Sequence, residues 1–207
     1  MTPIYTEHGP KMVFACSLEW PGWIRIARGE EAALARLMAY APRYRVIAER
    51  AGLPFDPGEP EVVARVQGTE MTDFGAPVAV PELDLEPVAE EAARREVALI
   101  RAAWEVFEEV AAAAPEELRK GPRGGGRDLT RVVHHVRDAE RAYARKVNVR
   151  HRPFQSDKDV DAMREELAEV LARAWGPPQL TGWPPAYARR RIAWHVIDHL
   201  WEIEDRR

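Results

Sequence analysis

The chain has a single cysteine, Cys16, in 207 residues. One thiol cannot close an internal disulfide, so packing alone must hold the fold, and a reducing compartment suits it. Long hydrophobic runs are missing too, because no segment approaches the roughly 18 apolar residues of a membrane helix. The first residues, MTPIYTEHGPKMVFACSLEWPGW, lack a basic start followed by an unbroken apolar stretch, so no signal peptide is expected. Nor is there an excess of one charge. The formal net charge of -4 gives no overall field toward nucleic acid or an anionic membrane. These absences predict a cytoplasmic protein with neither nucleic acid nor a membrane as partner. What is present, 46% hydrophobic and 31% charged residues, is ordinary for a globular chain of one large domain or two small ones.

Punctuation along the chain predicts an α+β fold in two parts. KMVFACSLEW and WIRIAR are rich in β-formers and flank Pro21-Gly22, a hairpin signal. From Glu30, apolar residues at Ala33, Leu34, Leu37 and Met38 have helical spacing; Pro42 kinks or restarts that helix and Gly52 caps it. EVVARVQG reads as a further strand, which makes residues 1–80 a small β-β-α-β domain with a Pro-containing linker, MTDFGAPVAVPELDLEP. Residues 81–207 read as four helices: about Val88–Ala113, Asp128–Val147 with Asp128 as N-cap, Asp157–Trp175, and from Pro184 and Pro185 almost to the end. Four such helices suggest a four-helix bundle. Glu82–Glu117 holds eleven acidic and three basic residues, and Arg119–Arg152 the reverse, so the first two long helices are expected side by side.

The closing stretch RIAWHVIDHLWEIEDRR sets His195 and His199 four residues apart in an apolar helix. A helix turns about 100° per residue, so both imidazoles look into one space. That is a metal-binding spacing, although two histidines near a helix C-terminus also serve as plain cationic partners of the helix dipole. Imidazoles among Ile192, Val196, Ile197, Leu200 and Ile203 are costly unless each ring nitrogen is satisfied, which a metal with carboxylates behind it would do. Asp198, Glu202 and Asp205 are near enough along the helix to orient the rings.

A bundle site draws ligands from more than one helix, and RVVHHVRDAERAY offers His134 and His135. On a helical wheel with Val132 as origin, the apolar stripe centres near about 50°; His135 falls at about 300°, beside it, and His134 at about 200°, nearly opposite. His135 therefore faces inward and His134 faces water. Glu140 falls inside the stripe, either as an acceptor behind a ligand or in a buried pair with an arginine.

His135 followed five positions later by Glu140 on the second helix, with HxxxH on the fourth, resembles the DinB-like (DinB/YfiT) superfamily of metal-binding four-helix bundles over Glu82–Arg207. The resemblance implies that His135, His195 and His199 hold a divalent ion, zinc or nickel, with Glu140 and Asp198 behind them. It also implies a low-molecular-weight thiol (mycothiol, bacillithiol or glutathione) as cofactor, with S-transfer or isomerisation of a small electrophilic substrate as the reaction. Three neutral imidazoles leave a coordination position open, as in catalytic rather than structural sites.

In LRKGPRGGGRDL, Gly124, Gly125 and Gly126 permit backbone amides to cradle an anion, with Lys120, Arg123 and Arg127 adding charge; a flexible connection is the alternative. No Lys-Ser/Thr follows the glycines, so this is no P-loop. Arg189, Arg190 and Arg191 read as a solvated, partly paired face with one member directed along the histidine side. The front part, with its strand, Pro-Gly turn, strand and Gly-Glu-Glu-Ala helix entry, is similar in order of elements to the HicB-like antitoxin fold. Trp20, Trp23, Tyr40 and Tyr44 there read as packing residues, or as the wall of a pocket if the sheet meets the bundle mouth. Cys16 reads as a buried small hydrophobe. The sequence leaves room for a second view, a non-catalytic module whose front domain binds a protein partner, and for a homodimer.

Overall fold

The computed structural model describes residues 1–121, 125–173 and 182–207. Its sheet is built around a strand that hydropathy patterning does not reveal. β1 (Thr2–His8) pairs antiparallel with β2 (Val13–Ser17) and parallel with β4 (Pro60–Gln67), while β3 (Ile24–Ala27) continues the hairpin, giving the order β3-β2-β1-β4. The expected β-β-α-β order is thus corrected to β-β-β-α-α-β. Thr2, Thr6 and Glu7 are all buried, so β1 shows no alternation of apolar and polar residues. Partners distant in sequence satisfy them instead: Thr6 Oγ1 donates to Glu30 at 2.8 Å, and the Glu7 carboxylate accepts from Thr72 Oγ1 and from the amides of Val78 and Ala79. The segment expected as a free linker is therefore tied to the sheet.

Pro42 restarts the helix. α1 (Glu30–Ala39) ends, and α2 (Ala41–Arg50) begins with the proline in its first turn, where its missing N–H costs nothing. Gly52 follows at φ 71°, the left-handed geometry of a helix end. After the short α3 (Glu70–Asp73), four long helices follow: α4 (Glu90–Ala113), α5 (Leu129–Ala144), α6 (Asp157–Leu171) and α7 (Pro185–Arg206). α4 lies against α7 and α6, and α5 lies against the same two. The oppositely charged α4 and α5 are joined mainly through those neighbours, with the Glu108–Arg137 pair at 3.1 Å bridging them directly. No helix among the described residues is long and apolar enough to cross a membrane.

β1 and β2 are covered on both faces, whereas the edge strand β4 alternates half-buried and exposed residues. Ile4, Val13 and Ala15 join α1, α2 and the long helices in one hydrophobic cluster that runs to Ile203, whereas Tyr5, Phe14, Cys16 and Ile24 pack against Trp194 of α7. Burial pushes the Cys16 thiol pKa up, which keeps it protonated and inert. Trp20, Trp23, Tyr44 and Phe55 form an aromatic knot, with Trp20 and Phe55 centroids 4.8 Å apart, so these rings are core. The Trp20-Pro21-Gly22-Trp23 turn, closed by Trp23 N–H to Trp20 C=O at 3.0 Å, is pressed onto α7. A Cβ on Gly22 would stand 2.5 Å from Ile197 Cδ1 and 2.8 Å from the Ala193 backbone, and its φ is 86°. Only glycine meets both conditions. This seat fixes the rotation of α7, and with it the direction of the histidines on its other side.

Candidate metal centre

α5 reaches the interior through Val132, Val136, Glu140 and Ala144, all buried. His135 flanks that stripe half-buried, and His134 is exposed, as the wheel predicts. Across from it, α7 presents His195, only 6% exposed, and half-buried His199. One ligand atom from each of the three rings lies within 4.8 Å of the other two. His135 Nε2 and His195 Nε2 are 3.3 Å apart. Two nitrogens bound tetrahedrally to one ion at about 2.0–2.1 Å stand roughly 3.3–3.4 Å from each other, so this pair already has ligand spacing. The longer separations are small enough for side-chain torsions to close.

The protonation chemistry fits as well. Burial, reinforced by His199, His135, Arg191 and Arg127, pushes the His195 pKa down to about 2. Burial and His199 lower that of His135. Both rings are neutral near pH 7, with lone pairs free to bind a metal. Among the described residues His195 Nδ1, the ring nitrogen other than the one facing His135, is buried with no hydrogen-bond partner. The donor set, three imidazoles and no thiolate, suits zinc or nickel.

The carboxylate behind the ligands is Glu202. Its Oε2 lies 2.7 Å from His199 Nδ1, which sets that ring with Nε2 toward the other histidines, and its Oε1 accepts from Arg206 at 2.5 Å. Burial works against the Glu202 carboxylate, but hydrogen bonds and charge from His199 and Arg206 hold its pKa below the usual value. Arg206 also donates to the carbonyls of Arg119 and Arg127, tying the end of α7 to the loop before α5. Residues 195, 199 and 202 form one i, i+4, i+7 stripe, a signal that separates Glu202 from Asp198.

The two carboxylates expected behind the ligands do not touch the histidines. Asp198 pairs with Arg25 of β3 at 2.9 Å. Glu140 is fully buried against Arg164 of α6, whose Nη2 is 3.0 Å away; burial raises its pKa and Arg164 opposes the rise. A carboxylate binds the nearest guanidinium when one is in reach, and buried Glu140 and partly exposed Asp198 each had one from another element. Among the basic loop residues, Lys120 is exposed and paired with Asp128, which spends the Asp128 carboxylate away from helix capping. Arg127 lines an open depression with Thr130, Arg131, His134 and His135, at the outer edge of the site. Arg123, with Gly124, lies outside the described residues. The expectation of a solvated arginine face is corrected: Arg189, Arg190 and Arg191 are all buried, Arg189 against Glu96 and Arg190 against Asp84.

Comparison with known protein families, with curated proteins and with solved structures gives no match to this chain.

Proposed function

We propose that the chain is a divalent-metal-dependent enzyme of the DinB-like type, acting in the cytoplasm, with α4–α7 as its four-helix bundle. It brings a low-molecular-weight thiol to a small electrophilic substrate, by S-transfer or isomerisation. The observation that carries this reading is the convergence of His135 with His195 and His199 from two separate helices, with His195 buried and its Nε2 3.3 Å from His135 Nε2. His135, His195 and His199 would hold the ion. A zinc or nickel ion bound by three neutral imidazoles supplies an open Lewis-acid position that lowers the pKa of a thiol or water.

The chain's own residues do the rest. Glu202 fixes the tautomer and angle of His199, and Arg206 fixes Glu202. Tyr143, edge-on to His195 with centroids 5.5 Å apart, closes the inner side of the site against water. Arg127, at the open rim beside His135, draws an anionic thiol or substrate toward it.

Metal analysis of untagged protein purified without chelators tests this reading. One zinc or nickel per chain is expected, with loss of at least about tenfold in affinity for His195→Ala and for His135→Ala, since each removes one of three ligands. A protein that takes up neither ion, or an unchanged His195→Ala variant, would overturn it. Conjugation of glutathione to 1-chloro-2,4-dinitrobenzene, lost on chelation and restored by zinc or nickel, is the expected activity readout.

A further inference from the structure

Three consecutive arginines enter the protein on α7, and they are treated differently. Arg189 donates through Nη1 to the Leu171 carbonyl at 3.0 Å and pairs with Glu96; Arg190 pairs with Asp84. Arg191 is 9% exposed and is the one of the three with no ion pair among the described residues; its Nη1, like Arg189 Nη2 and Arg190 Nε, is buried with no hydrogen-bond partner there. The Glu7 carboxylate feels its charge, but is already engaged by Thr72, Val78 and Ala79. What holds the Arg191 guanidinium is aromatic: it lies 4.4 Å from the Trp194 ring centroid and 5.4 Å from that of Tyr143. Those same two rings flank His195, at 6.0 and 5.5 Å between centroids. Arg191 precedes His195 by four residues, one helical turn on the same face.

A desolvated guanidinium that lacks a counter-ion, clamped by rings against a histidine cluster, is arranged to receive an anion. Its flat fork matches the two coplanar oxygens of a carboxylate. We propose that Arg191 is a carboxylate subsite, so that the molecules handled here are small carboxylic acids, anchored on Arg191 with their reacting carbon toward the three histidines. The second half of that statement rests on the metal reading above; the subsite itself does not.

Titration calorimetry on the full untagged chain separates the two, with benzoate and butyrate as probes and benzamide and butyramide as their uncharged counterparts. Each acid is expected to bind at least about tenfold tighter than its amide, as a buried charge-assisted contact requires. Arg191→Met should bring acid and amide within about twofold of each other, Arg191→Lys should fall between, and metal content should not change in either. The preference should persist in chelator-treated protein. Equal binding of acid and amide by the wild type would overturn the subsite. So would an acid preference that survives Arg191→Met, or one that disappears on chelation, because the carboxylate would then be bound elsewhere. Should Arg191→Met fail to fold by circular dichroism, Arg191→Lys and Arg191→Gln decide on the same criterion. Absence of any bound metal would remove the proposed reaction and leave the carboxylate preference to be judged by itself.

Discussion

The two sides of α7 are both largely hidden from water, the apolar one completely and the polar one in part, and for different reasons. On one side Ala193 and Ile197 receive the Gly22 turn, and the aromatic knot of Trp20, Trp23, Tyr44 and Phe55 joins the same core; the contacts are mostly apolar, and the donors Trp23 Nε1 and Tyr44 Oη are met by the Leu37 and Pro21 carbonyls. On the other side stand Arg191, His195, His199 and Glu202, and two of these hold buried nitrogen atoms that nothing in the described protein satisfies. A fold gains from the first arrangement directly. It tolerates the second at a cost, and such polar groups left open in an interior mark the places where a protein meets something else.

Breaking the apolar side should cost most. Trp23 is fully buried and its Nε1 donates to the Leu37 carbonyl at 3.0 Å, so Trp23→Ala should lower stability by about 3–5 kcal/mol in denaturant unfolding. A loss under about 1 kcal/mol would mean that the turn does not seat α7 as described.

The Glu140–Arg164 pair sharpens the contrast, because it is buried polar structure that carries its own counter-charge. Arg164→Met strands a fully buried carboxylate and should cost about 3–5 kcal/mol, whereas Arg164→Met with Glu140→Leu should return near the wild-type value or above it. The metal content of that double variant should be unchanged, since neither side chain contacts the histidines.

Close to neutral pH the smallest effect is that of protonation. In metal-free protein the folded His195 pKa is depressed to about 2, while in the unfolded chain it takes its ordinary value of 6.5. Between these values the unfolded state binds a proton that the folded state does not, so stability rises with pH across that window and this group contributes no slope above it. Thermal melts with chelator present should show the midpoint falling as pH drops below 6.5. Addition of zinc at pH 7 should raise the midpoint, by mass action on the folded state alone.

The α+β composition and the extents of the long helices were legible because their cues are local: the 3.6-residue period, Pro42 and Pro185 in first turns, Gly52 past a helix end. β1 was not, since its buried Thr2, Thr6 and Glu7 are satisfied by Pro57, Glu30 and residues 72–79, which only the folded chain brings near. In the site, the helical period alone chose His135 over His134. Asp198 was expected at the histidines and instead meets Arg25, 173 positions away in sequence, and Glu140 meets Arg164 on another helix. The three arginines on α7 read as surface for the same reason, because Glu96 and Asp84 come from outside the helix. Local pattern identifies which face a side chain occupies, and tertiary contact decides whom it meets.

X-ray absorption spectroscopy of the zinc-loaded, untagged chain tests the central claim most directly. Three imidazole nitrogens at about 2.0–2.1 Å with histidine outer-shell scattering are expected, falling to two in His135→Ala. A metal shell without imidazole scattering, or one that His135→Ala leaves unchanged, would contradict it.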